Sequence, residues 1–234
     1  MRNKVLTLLM CMSLGASAPL AAQSDEAERV SKATQVFEEI MAVPEKAIPE
    51  KILSNAEAIA VFPSTLKGGF GIGVHHGKGI ISRRNRENGT WTTPAFLSLT
   101  GGSFGAQIGG QALDLVLVVM NKNGLDSLMK SEFKIGADAS VAAGPVGRNA
   151  EAATDLLLKA EILSYSRTRG LFAGVSLNGS VINEDENANR DFYGRPVRNA
   201  QILDESPRPV GTSGNQPLPD VVTKWRNALG QYAK

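Results

Sequence analysis

The chain has 234 residues, a formal net charge of +2, one cysteine and 24 glycines, with 42% hydrophobic and 21% charged residues. A near-neutral chain has no global field to draw it onto nucleic acid, so no nucleic-acid partner is expected. Attraction to an anionic surface must come from local basic clusters. A lone cysteine provides neither a disulfide framework nor a cysteine-rich metal centre, and no cofactor or metal is expected.

Arg2 and Lys4 precede an apolar run from Val5 to Leu14, followed by small residues and Ala21-Ala22. That order of charge, apolar core and small residues is the pattern of a secretory signal peptide, and the run is too short to span a bilayer. Cleavage is expected after Ala22. Cys11 lies inside the apolar run behind Met10, unlike a lipid-attachment cysteine, which follows a small residue at the end of such a run. Loss of Arg2 and Lys4 brings the formal charge to zero and leaves about 212 residues, enough for one domain. The expected divisions are a leader over 1–22, a helical segment over 23–50, a main domain over 51–203, a linker over 204–218 and a docked helix over 219–234.

Asp25 to Ala42 places Val30, Phe37 and Ile40/Met41 on one face and predicts an amphipathic helix. Pro44 stops it, and Pro49 opens a short helix through Leu53. A strand is predicted over Ile59–Phe62, ending at Pro63. Glycines then alternate with apolar residues from Gly68 to Val74, and the pattern continues to Ile81. Half of the glycines lie between Gly68 and Gly110. Repeated glycine on one strand face implies close approach of another backbone, a ring or a ligand, and permits strong coiling.

Ser82 to Gly89 reads as a basic hairpin loop. The returning strand runs from Trp91 to Leu99, with Trp91, Thr93, Ala95, Leu97 and Leu99 on one face, and Gly101-Gly102 is expected to turn the chain. Leu113 to Met120 is apolar almost throughout, the mark of a strand covered on both sides, with Asp114 as an interruption. Asn121 to Gly124 reads as a turn and Leu125 to Lys130 as a short helix. Phe133 to Val141 alternates as one half-buried strand.

Two more strands, Glu161–Ser166 and Leu171–Leu177, flank a turn whose Gly170 suits a positive φ and whose Arg167 and Arg169 are held near solvent. Asn183 to Asp191 is a polar run, and Pro219 to Ala233 a helix with Val222, Trp225 and Leu229 as its apolar stripe. The expected class is α+β: a coiled antiparallel sheet or barrel, rich in glycine, flanked by N- and C-terminal helices.

Several familiar chemistries fail on inspection. Gly101-Gly102-Ser103-Phe104-Gly105 matches the nucleophile-elbow pattern, but that elbow needs a helix after the serine and a strand is expected there. His75 and His76 are adjacent in a strand and face opposite sides, which disfavours a shared metal. Asp185, Asn187, Asn189 and Asp191 alternate like the start of a calcium loop, yet Arg190 stands where glycine is needed and Pro196 where a bidentate Glu belongs. Asp114, Asp138 and Glu161 lie in apolar, strand-like surroundings. Lys78, Lys134, Arg148 or Arg167 are available to pair with them, either as a structural ion-pair network or as a head-group site.

The runs PAFLSLTGGSFGAQIGGQALDLVLVVM, GADASVAAGPVGR and EILSYSRTRGLFAGVSL resemble the SYLF domain family, and the likeness extends from about Lys51 to Tyr193. That resemblance implies a lipid-binding domain of the kind found in bacterial exported proteins and in fungal and animal regulators of membranes and actin. It implies a non-catalytic protein whose lipid-facing residues are Lys67, Lys78, Arg83, Arg84, Arg86, Arg167 and Arg169. Together with the leader, it points to the bacterial periplasm, peripheral to a membrane, with an anionic phospholipid membrane as partner and an envelope protein as a further one. The alternatives are an envelope scaffold that binds protein or peptidoglycan, and an unrecognised hydrolase.

Overall fold

The structure, a computed structural model, describes residues 20–44, 47–108, 111–130, 132–146, 160–168, 171–173, 179–212 and 217–233. The leader-like segment up to residue 19, Gly170 and Arg169 lie outside them. Among the described residues eight strands form one curled sheet: β1 (Ala58–Arg83), β2 (Ala95–Ile108), β3 (Gln111–Val119), β4 (Glu132–Lys134), β5 (Val141–Ala143), β6 (Ile162–Thr168), β7 (Leu171–Ala173) and β8 (Ser180–Glu184). Their order is β4-β8-β2-β1-β3-β6-β5, with β7 also paired to β6. All pairs are antiparallel except β5 with β6. The described helices are α1 (Leu20–Met41), α2 (Glu50–Asn55), α3 (Lys122–Leu128), α4 (Glu186–Tyr193), α5 (Asn199–Glu205) and α6 (Asp220–Tyr232). The class is α+β, a half-barrel with helices at both ends.

β1 is the spine. Its first half pairs with β3 and its second half with β2. The strand does not end at Pro63. The register slips between Phe62 and Thr65, and Ser64 takes a positive φ of 51°. A bulge is one of the few places in a sheet where a proline's missing N–H is tolerated. The carboxylate of Asp114 accepts the Ser64 N–H at 2.9 Å, so the residue that interrupts the apolar β3 run caps the irregular backbone beside it.

Beyond the bulge the strand curls back over itself. Residues 62 and 79 would stand roughly 55 Å apart on a straight strand. Instead, a Cβ placed on Gly79 would strike the Phe62 ring and come within 2.6 Å of the Val61 carbonyl oxygen. Glycine is what lets the two halves meet.

Gly101-Gly102 is not a turn. β2 runs straight through it, Gly101 pairing with His75 on one side and Ser180 on the other. Two glycines broke the hydrophobic pattern without breaking the ladder. The Phe133–Val141 alternation, conversely, is not one strand. Gly136 has φ 85°, and Asp138 closes a reversal by accepting the Lys134 N–H at 2.6 Å. Alanine and glycine at alternate places suit a turn as readily as a strand, so the period misleads here.

The core joins both termini. On α1, Val30, Ala33, Phe37 and Ile40 are fully buried. Phe37 meets Trp225 and Tyr232 of α6 edge-on, each at 6.0 Å between ring centres. Trp225 also donates its indole N–H to Ser82 Oγ at 2.8 Å, fastening α6 to β1. Residues 206–212 have no regular structure but are pinned: Thr93 donates to the Pro207 carbonyl, and Val210 N–H to that of Phe192.

A charged cluster fixes α1 to α4. Arg29 bridges Glu26 and Asp185, each at 3.0 Å, and its guanidinium lies 5.2 Å from the centre of the Phe96 ring. Asp185 also caps α4 by accepting the Ala188 N–H at 3.2 Å. Burial raises the Glu26 carboxyl above its ordinary range, against the lowering influence of Arg29. A raised carboxyl favours the fold when protonated, and that contribution is lost as pH rises through its folded value. Glu26→Gln is therefore expected to match the native chain at pH 4 and to exceed it in melting temperature at pH 7, a gap that thermal melts across that range will measure.

Candidate anion-binding cleft at the β1 hairpin

The basic segment after β1 is a tight, internally bonded loop. Asn85 N–H donates to the Thr90 carbonyl at 2.7 Å, and Gly89 N–H returns to the Asn85 carbonyl at 2.9 Å. Asn85 Oδ1 accepts from Glu87 N–H at 2.8 Å, and Gly89 takes φ 71°. Beneath the loop, Arg84 and Trp91 form a bridge, and Thr92 Oγ1 accepts the Arg83 N–H at 2.9 Å. The three arginines are thus carried on a fixed backbone.

They line a cleft of about 320 Å³ together with Asn85, Glu87, Thr90 and Thr92, closed on its far side by Leu203, Asp204 and Ser206. Arg83 pairs with Asp204 of α5. Arg86 binds the Glu57 carboxylate at 2.9 Å and the Asn55 carbonyl at 2.9 Å. Arg84 donates to the Ser54 carbonyl at 2.7 Å and has no carboxylate partner among the described residues. A guanidinium carries five N–H donors, so each of the three retains donors for an incoming oxyanion.

Glu57, Glu87 and Asp204 balance the three positive charges in number. Recognition here must therefore come from directed, charge-assisted hydrogen bonds rather than a long-range field.

Of the other residues expected to face lipid, Lys78 is exposed and stands 3.9 Å from Asp185, outside this cleft. Arg167 is not in a solvated turn. It belongs to β6, its side chain is 19% exposed, and it grips Asp114 at 2.7 Å and Glu39 of α1. Its hydrogen bond lowers the Glu39 carboxyl below the ordinary range, with help from Gln35. Arg167 thereby completes the capping of the β1 bulge and ties α1 to the sheet. The Lys67 side chain and Arg169 lie outside the described residues. The other two carboxylates also serve backbone. Asp138 closes its turn, and Glu161 accepts the Ser140 N–H at 2.8 Å.

The calcium-like run is a helix. Asn189, fully buried in α4, accepts the Phe96 N–H at 3.0 Å and donates to Asn199 at 2.7 Å, so it is a structural joint. Ser103 lies within β2 opposite Gly73, which rules out an elbow there. Sequence reading missed the wall made by α5, because Asn199–Glu205 is about two turns of mostly polar helix with two apolar anchors, Ile202 and Leu203.

The sequence that builds this curled sheet is similar to those of known proteins. Residues 100–225 match the Ysc84 family, described as Las17-binding protein actin regulator. The chain is 33% identical over 210 residues to the human SH3 domain-containing YSC84-like protein 1, covering 88% of this chain and 61% of that protein. It is 36% identical over 170 residues to LAS seventeen-binding protein 3 of Saccharomyces cerevisiae, covering 70% and 36% respectively. The chain belongs to the Ysc84, or SYLF, family. It spans about three-fifths of the human relative and about a third of the yeast one.

Proposed function

We propose that this chain is a non-catalytic phospholipid-binding protein of the bacterial envelope that holds anionic head groups in the cleft formed by Arg83, Arg84 and Arg86. The carrying observation is the cleft itself: three guanidiniums on one rigid hairpin, with Arg84 held by a carbonyl alone among the described residues. A phosphate or phosphodiester offers paired oxygens to which guanidinium N–H groups donate in parallel. The leader-like N-terminus supports export to the periplasm and a peripheral place at a membrane face. Among the described residues no helix is long and apolar enough to cross a membrane. The Las17 and SH3 connections belong to the named relatives, and nothing in this cleft requires them.

Co-sedimentation with phosphatidylglycerol and phosphatidylcholine vesicles at low and high salt tests the reading. Each charge-assisted hydrogen bond to a head group is worth about 1 kcal/mol or more, so Arg83→Ala/Arg84→Ala/Arg86→Ala is expected to weaken binding roughly a hundredfold. Binding is expected on phosphatidylglycerol alone and to fall with salt. Failure of the native chain to sediment with either vesicle would sink the proposal.

A further inference from the structure

Beside the arginine-lined cleft lies a second one, of about 620 Å³, between the hairpin and α6. The two share Thr90, so they are neighbours across a single side chain. Their chemistry differs. The second is lined by Trp91, Leu218 and the glycines at 89 and 230, with Thr223, Arg226 and Asn227 at its polar margin. Both volumes fall in the range of roughly 300–1,000 Å³ that small-molecule sites occupy.

Two features bear on what fills it. Gly230 stands in α6, where helix propensity favours alanine, and a Cβ there would meet nothing within 4 Å. No neighbour demands a glycine, yet its bare backbone leaves the groove open. In addition, Trp91 Nε1 and Arg226 Nε are shut off from solvent and have no acceptor among the described residues. Buried donors without acceptors are uncommon, and a bound molecule whose entry parts the Trp91 and Arg226 side chains would bring acceptors to them.

We propose that the second cleft takes an acyl chain of the lipid whose head group lies among Arg83, Arg84 and Arg86, so that the paired clefts hold one phospholipid molecule rather than merely resting on a surface. This rests on the head-group reading above. A glycerophospholipid joins an anionic phosphate to apolar chains through ester carbonyls. That sequence of chemistries runs in the order the protein presents: guanidiniums, Thr90, then an apolar groove flanked by two unsatisfied N–H donors.

The chain has two tryptophans, which makes the test direct. Trp225→Phe keeps a ring in the core and leaves Trp91 as the sole indole. Vesicles of phosphatidylglycerol with brominated acyl chains are expected to quench its fluorescence at least twofold relative to unbrominated vesicles. Gly230→Leu, whose Cβ enters open space and whose side chain then occupies the groove, is expected to abolish that quenching while co-sedimentation persists. Should Trp225→Phe fail to fold, Trp91→Phe in the otherwise native chain gives the reciprocal measurement, and quenching is expected to fall with it. Co-sedimentation without quenching of Trp91, or quenching unchanged by Gly230→Leu, would overturn the acyl-chain site and leave the head-group reading standing. Absence of co-sedimentation would overturn both.

Discussion

Trp225→Ala is expected to cost about 3–5 kcal/mol, the range for removing a large buried aromatic side chain. The residue is fully buried, packs edge-on against Phe37 and donates to Ser82 Oγ. Truncation opens a cavity between α1 and α6 and deprives the fully buried Ser82 hydroxyl of its partner, so two penalties fall together. For a chain of this size the melting temperature is expected to drop by on the order of 10 °C. Thermal denaturation followed by circular dichroism measures it. A shift of less than a degree or two would mean that α6 is not part of the cooperative unit. Trp225→Phe, which keeps a six-membered ring in the core and loses the pyrrole ring with its N–H donor, is expected to retain most of the stability.

That dependence of one terminus on the other was partly written in the chain. The α6 stripe of Val222, Trp225 and Leu229 and the α1 stripe of Val30, Phe37 and Ile40 both have helical spacing, and all six are buried. The uninterrupted apolar run of β3 likewise reads directly as a strand covered on both faces, because Leu115 to Val119 leave no polar side to expose. Where periodicity failed, a single residue's backbone geometry had overridden it. Pro63 reads as a strand end until Asp114, fifty positions after Ser64, supplies the acceptor that makes a bulge tolerable. Gly136 and Asp138 make a turn of what reads as a strand.

The candidate site shows the same division. Arg83, Arg84 and Arg86 are contiguous and stand out as a basic loop. The wall that makes a cleft of them comes from Leu203 and Asp204, over a hundred residues away on a helix too short to announce itself. Arg167 shows the converse error. Three residues before a glycine it reads as a solvated turn residue, but the strand continues through it and places it between two carboxylates, Asp114 and Glu39, that only the fold brings near.

Glycine spacing was the most informative signal, and it yields the sharpest test. Gly79→Ala is expected to destabilise the fold by about 3 kcal/mol, at the upper end of the usual cost of overpacking. The added methyl would enter the Phe62 ring and lie 2.6 Å from the Val61 carbonyl oxygen. A ring can rotate or be trimmed, whereas the carbonyl belongs to a backbone paired with β3 through Val61 and Phe62. Phe62→Leu in the Gly79→Ala background is therefore expected to recover only part of the loss. Denaturant titration of the four chains of this cycle should give a coupling of at least about 1 kcal/mol. Full recovery would mean that the ring alone sets the limit, and no coupling that the two halves of β1 do not meet. Gly230→Ala serves as the comparison, since its methyl enters open space and relieves a helix of its glycine, for an expected gain of up to ~1 kcal/mol. The same substitution thus has opposite signs at two positions, because at Gly79 the absent side chain makes room for the protein's own backbone and at Gly230 it leaves room for something else.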